Sequence, residues 1–155
     1  MNLNEQLITD LYSAFQRREG EKMASCYDEA AIFSDPAFGT LRGPEIGAMW
    51  RMLCGRATDL RISFDKVSAD EHSGKAHWEA WYTFSASGRP VHNVIEAAFE
   101  FRDGKIVEHH DSFNFWRWAS MALGPVGTFA GWLPLVQRQV RSRARQGLNT
   151  FMMGK

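Results

Sequence analysis

Apolar residues recur at Leu7, Ile8, Leu11, Tyr12 and Phe15 within NEQLITDLYSAF. That spacing predicts an amphipathic helix with one buried face, capped by Asn4 or Asn2. Gly20 breaks the pattern, and Met23, Cys26 and Tyr27 predict a short second helix from Glu21 to Tyr27. Ala31–Ser34 reads as a short strand that stops at Asp35-Pro36. GPEIGAMWRML then reads as a helix start: Pro44 suits the first turn, Glu45 suits the positive helix end, and Ile46, Met49, Trp50 and Leu53 form a stripe.

From Leu60 the period changes to two. Leu60, Ile62 and Phe64 alternate with polar residues, and KAHWEAWYTFSA, VHNVIEAAFEF and KIVEHHDSFNFW follow. The separators DEHSG, SGRP and RDG carry turn chemistry. Four strands joined as hairpins make an antiparallel meander, and helices followed by a sheet make an α+β layout. The chain contains no internal repeat, low-complexity segment or phosphate-cradling glycine motif.

The segment from Trp116 onward differs. It is broken at Gly124-Pro125 and at Pro134, and Leu133, Val136, Val140 and Ala144 fall on one side of a helix. Arg138, Arg141, Arg143 and Arg145 occupy much of the rest. Two readings stay open for this tail: an amphipathic helix packed over the body, or a peripheral contact with a membrane surface. Aromatics are not interleaved with its arginines, so nucleic acid is not an expected partner.

A chain of 155 residues is one domain's length and buries a core without disulfides or metal. Cys26 and Cys54 lack metal or redox spacing and read as reduced, buried thiols. Without a signal-like segment or an apolar run long enough to span a bilayer, a soluble cytoplasmic protein is expected. The net charge is zero but uneven: Asp111 is the last acidic residue, so the final 44 residues carry +6 and the first 111 carry −6. Aromatics make up 13% of the chain, six of them tryptophan, which predicts a core or pocket with large flat walls.

Alternation decides which side chains meet. On the last strand Val107, His109, Asp111, Phe113 and Phe115 share one face, and Glu108, His110, Ser112 and Asn114 share the other. A carboxylate among apolar neighbours is disfavoured in its charged form, which raises its pKa toward the range useful for proton transfer. The preceding strand offers Asn93, Ile95, Ala97, Phe99 and Phe101, and the strand before it Trp78, Ala80, Tyr82 and Phe84. Trp81, on the opposite face, predicts a homodimer through the sheet face. Asp35 is either a turn residue accepting backbone hydrogen bonds or a member of the pocket. Asp111 is either a structural partner of His109 or a base, and Tyr12 is either core or a donor into the pocket. His109 and His110 point to opposite faces of a strand, so they do not share an ion, and no metal is expected.

The sequence YDEAAIFSDPAFGTLRGPEIGAMW followed by hairpins and RDGKIVEHHDSF resembles the nuclear-transport-factor-two-like superfamily, in particular SnoaL-like polyketide cyclases and ketosteroid isomerases. The resemblance covers about residues 3 to 116. It implies a cone-shaped, curved antiparallel sheet packed with N-terminal helices (a cystatin-like α+β barrel), with residues 1–116 as that domain and 117–155 as a basic helical extension packed on it. It also implies roles. The isomerases use an aspartate before a proline as base, matched by Asp35, and a first-helix tyrosine as oxyanion donor, matched by Tyr12 with a one-residue gap. Their second donor, a protonated aspartic acid, falls at about Ala97, so half of that oxyanion hole is absent. Polyketide cyclases place a catalytic aspartate on the last strand, matched by Asp111. The Asp–Arg–Asp set of limonene epoxide hydrolases finds Asn93 and Ile95 where its other members belong.

These readings converge on an expectation of acid–base chemistry on a small hydrophobic carbonyl compound: isomerisation, cyclisation or dehydration without metal or organic cofactor. Asp35, Asp111, His109 and Tyr12 are the candidate catalytic residues. Trp50, Trp78, Tyr82, Asn93, Phe99 and Phe113 are the candidate lining of an apolar pocket. The alternatives are a non-catalytic module binding an apolar ligand, and a dimeric interaction domain whose cone is filled by its own side chains.

Overall fold

The computed structural model describes residues 2–56 and 58–154. Helix α1 (Leu3–Gln16) starts at Asn2, whose Oδ1 accepts the Glu5 N–H at 2.8 Å while Glu5 Oε1 accepts the Asn2 N–H at 3.2 Å. This reciprocal cap satisfies two otherwise orphaned donors. Ile8, Leu11, Tyr12, Ala14 and Phe15 are its buried face. Helix α2 (Gly20–Ala24) is shorter than predicted, because Tyr27 opens strand β1 (Tyr27–Asp35) instead of closing the helix. Strand β2 (Gly39–Arg42), which the sequence did not disclose, folds back on β1, and helix α3 (Pro44–Arg56) follows with its stripe buried at Ile46, Met49 and Trp50.

Strands β3 (Arg61–Ala69), β4 (Ser73–Phe84), β5 (Arg89–Arg102) and β6 (Lys105–Ser112) form the predicted meander. The curved six-stranded sheet has the order β2-β1-β6-β5-β4-β3. It is mixed, not wholly antiparallel: β1 lies parallel to β6, since the chain crosses the sheet between them through α3 and the meander. Helices α1, α2 and α3 cover one face, and the main core fills the space between (Tyr12, Phe15, Phe33, Trp50, Trp78, Phe99 and their neighbours). On the other face Trp81 lies flat on His92, ring centroids 4.5 Å apart, with the Arg61 guanidinium 4.8 Å from its ring.

The predicted last strand stops early. Asn114 accepts the Arg117 N–H and caps helix α4 (Phe115–Leu123), so Phe115 belongs to that helix and not to β6. Helix α5 (Pro125–Ala130) packs on α4. Helix α6 (Pro134–Met152) runs back across the body against α3. Its contact stripe continues past Ala144 to Leu148, which is fully buried in the main core, and to Phe151 beside Arg56. Arg145 pairs with Glu45, and Gln137 Nε2 and Arg141 Nε each donate to the Pro36 carbonyl at 3.1 Å. No helix among the described residues is long and apolar enough to cross a membrane.

Candidate active site

The parallel pairing of β1 with β6 positions the two candidate aspartates. Phe33 lies opposite His109 and Ser34 opposite His110. One step further, on the face of Phe33 and His109, come Asp35 and Asp111. They therefore leave neighbouring strands, about 4.8 Å apart, on the same side. Both line a cleft of about 400 Å³ with Ser34, Thr40, Ser112, Phe113, Gln137 and Arg141.

Asp35 does two things. Its Oδ1 accepts the N–H groups of Ala37 at 2.9 Å and Phe38 at 2.5 Å, which closes the β1–β2 turn. Its carboxyl also borders the cleft. Desolvation pushes its pKa from 3.8 up to about 7; the Asp111 charge raises it further, and the turn amides and Arg141 pull against the rise.

Asp111 is buried and ends a chain of hydrogen bonds. Trp50 Nε1 donates to the Tyr27 hydroxyl at 3.0 Å, and that hydroxyl lies 2.8 Å from His109 Nδ1. The other ring nitrogen, Nε2, faces the Asp111 carboxylate, which only accepts, so the His109 proton sits on Nε2 and Nδ1 accepts from the Tyr27 hydroxyl. Nε2 lies 2.8 Å from Asp111 Oδ1, and Trp78 Nε1 donates to the same oxygen at 3.3 Å. Two donors on one oxygen fix the carboxylate's rotamer, and His109, wholly buried, is held at both ring nitrogens. Tyr27 is the residue that sequence reasoning missed. Its apolar spacing resembled helix, and its contact with His109 spans 82 residues.

The remaining candidates are placed as follows. Tyr12 is fully buried against Phe64, Trp78 and Phe99, away from the cleft lining, and its hydroxyl has no hydrogen-bond partner among the described residues. Burial, with the nearby Asp111 charge, drives its pKa well above the usual phenol value. Trp50, Trp78 and Phe99 are packed into the core and do not border the cleft, because α1 and α3 press the interior rings together. Tyr82 is half-buried and accepts the Trp118 Nε1–H at 2.8 Å. Burial raises its pKa, with the Asp35 charge adding to the rise. Asn93 and Phe113 border a second depression of about 370 Å³ with Val94, Glu96, Ser112, Asn114 and Arg117. Phe113 alone of the six expected lining residues borders the cleft that holds both aspartates. The cleft is consequently more polar than the expected aromatic pocket. No group of three His, Cys, Asp or Glu side chains among the described residues is arranged to hold a metal ion.

The sequence pattern of the SnoaL-like domain spans residues 8–109, two thirds of the chain. The chain belongs to the SnoaL-like domain family. Solved structures similar to this SnoaL-like chain share its fold at low identity. An NTF2-like protein of unknown function from Burkholderia pseudomallei has 19% identity and a TM-score of 0.63, covering 74% of this chain and 92% of that one. An LEH-like epoxide hydrolase from M. tuberculosis has 16% identity and a TM-score of 0.64, covering 86% and 95%. A hypothetical protein with a ketosteroid isomerase-like fold from Catenulispora acidiphila, in complex with trimethylamine, has 14% identity and a TM-score of 0.66, covering 83% and 97%. No curated protein matches the sequence. At these identities the likeness carries the fold, and activity has to be argued from the cleft.

Proposed function

We propose that this SnoaL-like protein catalyses cofactor-independent proton transfer on a small carbonyl compound, by isomerisation, dehydration or cyclisation. The observation that carries the reading is the pair of aspartates side by side over one cleft, with Asp35 titrating at about 7. Asp111, oriented by His109 and Trp78, takes a proton from the carbon next to the carbonyl. Asp35, divided at neutral pH between its two forms, gives its proton to the carbonyl oxygen, and an enol results. Return of a proton at another carbon isomerises the substrate, loss of a β-hydroxyl dehydrates it, and attack on a second carbonyl closes a ring. A pKa near the working pH is what a group needs to act in both directions. Carboxyl groups with separated tasks are a recurrent solution to this problem.

The filled interior supports a second reading. Tyr12, Trp50, Trp78 and Phe99 fill the interior and leave a ligand to the surface cleft, where on this reading the carboxyl groups serve only to hold it. Proton exchange separates the two. Cyclic ketones and 1,3-diketones are incubated with the protein in deuterated water, and deuterium at the α-carbon is followed by NMR. The enzyme reading expects exchange that falls about a hundredfold or more in both Asp35→Asn and Asp111→Asn. Exchange undiminished in both variants refutes it. Ligands retained by saturation transfer with no exchange in the wild type support binding.

A further inference from the structure

The tail leaves a second surface uncovered. From α5 to the first turn of α6, Val126, Phe129, Trp132 and Leu135 are 63%, 79%, 68% and 60% exposed, within ten consecutive residues. Trp116, on α4, joins them: its Nε1–H donates to the Thr128 carbonyl at 3.0 Å. The Trp132 Nε1–H donates to the Phe129 carbonyl at 3.0 Å. Both indole donors are thus satisfied inside the tail, and the rings offer apolar faces to whatever lies outside. Exposed apolar side chains concentrated in this way mark an interaction surface.

The charge around the patch says what it faces. No acidic residue follows Asp111. Arg141 and Arg145 are turned to the body, on the Pro36 carbonyl and Glu45. Arg117, Arg138 and Arg143 are exposed instead, Arg117 adjoining Trp116 and Arg138 one helical turn beyond Leu135. Glu96 of the sheet shares a depression with Arg117, and the tail itself carries no carboxylate side chain. Aromatic and aliphatic side chains rimmed by these arginines complement an anionic lipid surface: the rings enter the headgroup boundary and the guanidinium groups meet phosphate. Spanning is not required, in keeping with the short, broken helices of the segment.

We infer that the α5–α6 corner docks this protein peripherally on anionic membranes, with Phe129, Trp132, Val126 and Leu135 inserted and Arg117, Arg138 and Arg143 on the headgroups. The site is separate from the aspartate cleft, although α6 serves both. Leu135 precedes Arg141 by six residues, about 9 Å along the helix.

The test is co-sedimentation of the full chain with vesicles of phosphatidylcholine alone and of phosphatidylcholine with about one third phosphatidylglycerol, at low and high salt. Uptake is expected on the anionic vesicles, weakened by salt. It should fall about tenfold in Phe129→Ser/Trp132→Ser and in Arg117→Gln/Arg138→Gln. Trp132→Phe is the conservative control: it keeps uptake and loses the part of the fluorescence that brominated acyl chains quench. Equal uptake on both vesicle types, no uptake at all, or uptake indifferent to these substitutions overturns the inference. So does a concentration-dependent dimer in sedimentation velocity that Phe129→Ser/Trp132→Ser abolishes without vesicle binding, since the patch then belongs to a second copy.

Discussion

Replacing Asp35 by Asn should stabilise the protein above neutral pH and leave it nearly unchanged below about pH 4. In the unfolded chain the carboxyl titrates near 3.8, and in the folded chain near 7. Between those values the folded state binds more protons than the unfolded one, so stability is lost as pH rises from about 4 to about 7. The full difference corresponds to about 4 kcal/mol. Asp35 is only half-buried, so water at the cleft screens the penalty and about 1–2 kcal/mol is the realistic gain. Asparagine keeps an Oδ1 for the Ala37 and Phe38 amides, so the turn survives the change. The assay is urea unfolding of both proteins at about pH 3.5, below both pKa values, and at about pH 8.5, above both. The expected signature is a stability difference that opens in favour of Asn as pH rises. A difference that is the same at both pH values would show that Asp35 ionises in the folded protein as it does in the unfolded one, and would remove the basis for its part in proton transfer.

Other outcomes follow from single contacts. Tyr27→Phe leaves the Trp50 indole N–H and His109 Nδ1 unpaired in the core and should cost about 1–3 kcal/mol in denaturant unfolding. Tyr12→Phe removes a hydroxyl that has no partner among the described residues, and in the same assay should be neutral or slightly stabilising. Arg141→Gln removes a charge that favours ionised Asp35, so the Asp35 carboxyl carbon should titrate at higher pH by NMR; Asp111→Asn should move it lower. Gly127→Ala would set a methyl 1.8 Å from the Ala119 carbonyl oxygen. It should cost about 3 kcal/mol, or displace α5 from α4, which would raise protease cleavage near residue 127.

Much of this was legible in the sequence, for reasons that are local. The alternation in KIVEHHDSFNFW turned His109 and Asp111 inward, as found. A bulge opposite Glu100 and Phe101 puts Ile106 in the core beside them, where strict alternation favoured Val107. Phe115 was misplaced because an apolar residue after a strand looks the same whether the strand continues or an Asn114 cap starts a helix. The four residues of β2 are too few to show a period, and the exposed Glu29 and Ala30 hid the first half of β1. The parallel pairing of β1 with β6 joins distant segments, and no local pattern announces it. That pairing sets the aspartates side by side, so Asp35 and Asp111 could be singled out from the chain while their neighbourhood could not.

The seam between α6 and the body has an evolutionary consequence. Gln137 and Arg141 both end on the Pro36 carbonyl, a backbone atom that every residue type supplies. On the body side, then, the attachment demands a particular side chain at few positions, such as Glu45, while α6 supplies its partner Arg145, the donors Gln137 and Arg141, and the buried Leu148. The α6 residues along the cleft are these same two donors, Gln137 and Arg141, so a change there alters the cleft wall while the Leu148 anchor stays in place. A lineage can thus retune what the cleft admits by changing one peripheral helix, with the sheet, its paired carboxyl groups and the packed interior left untouched.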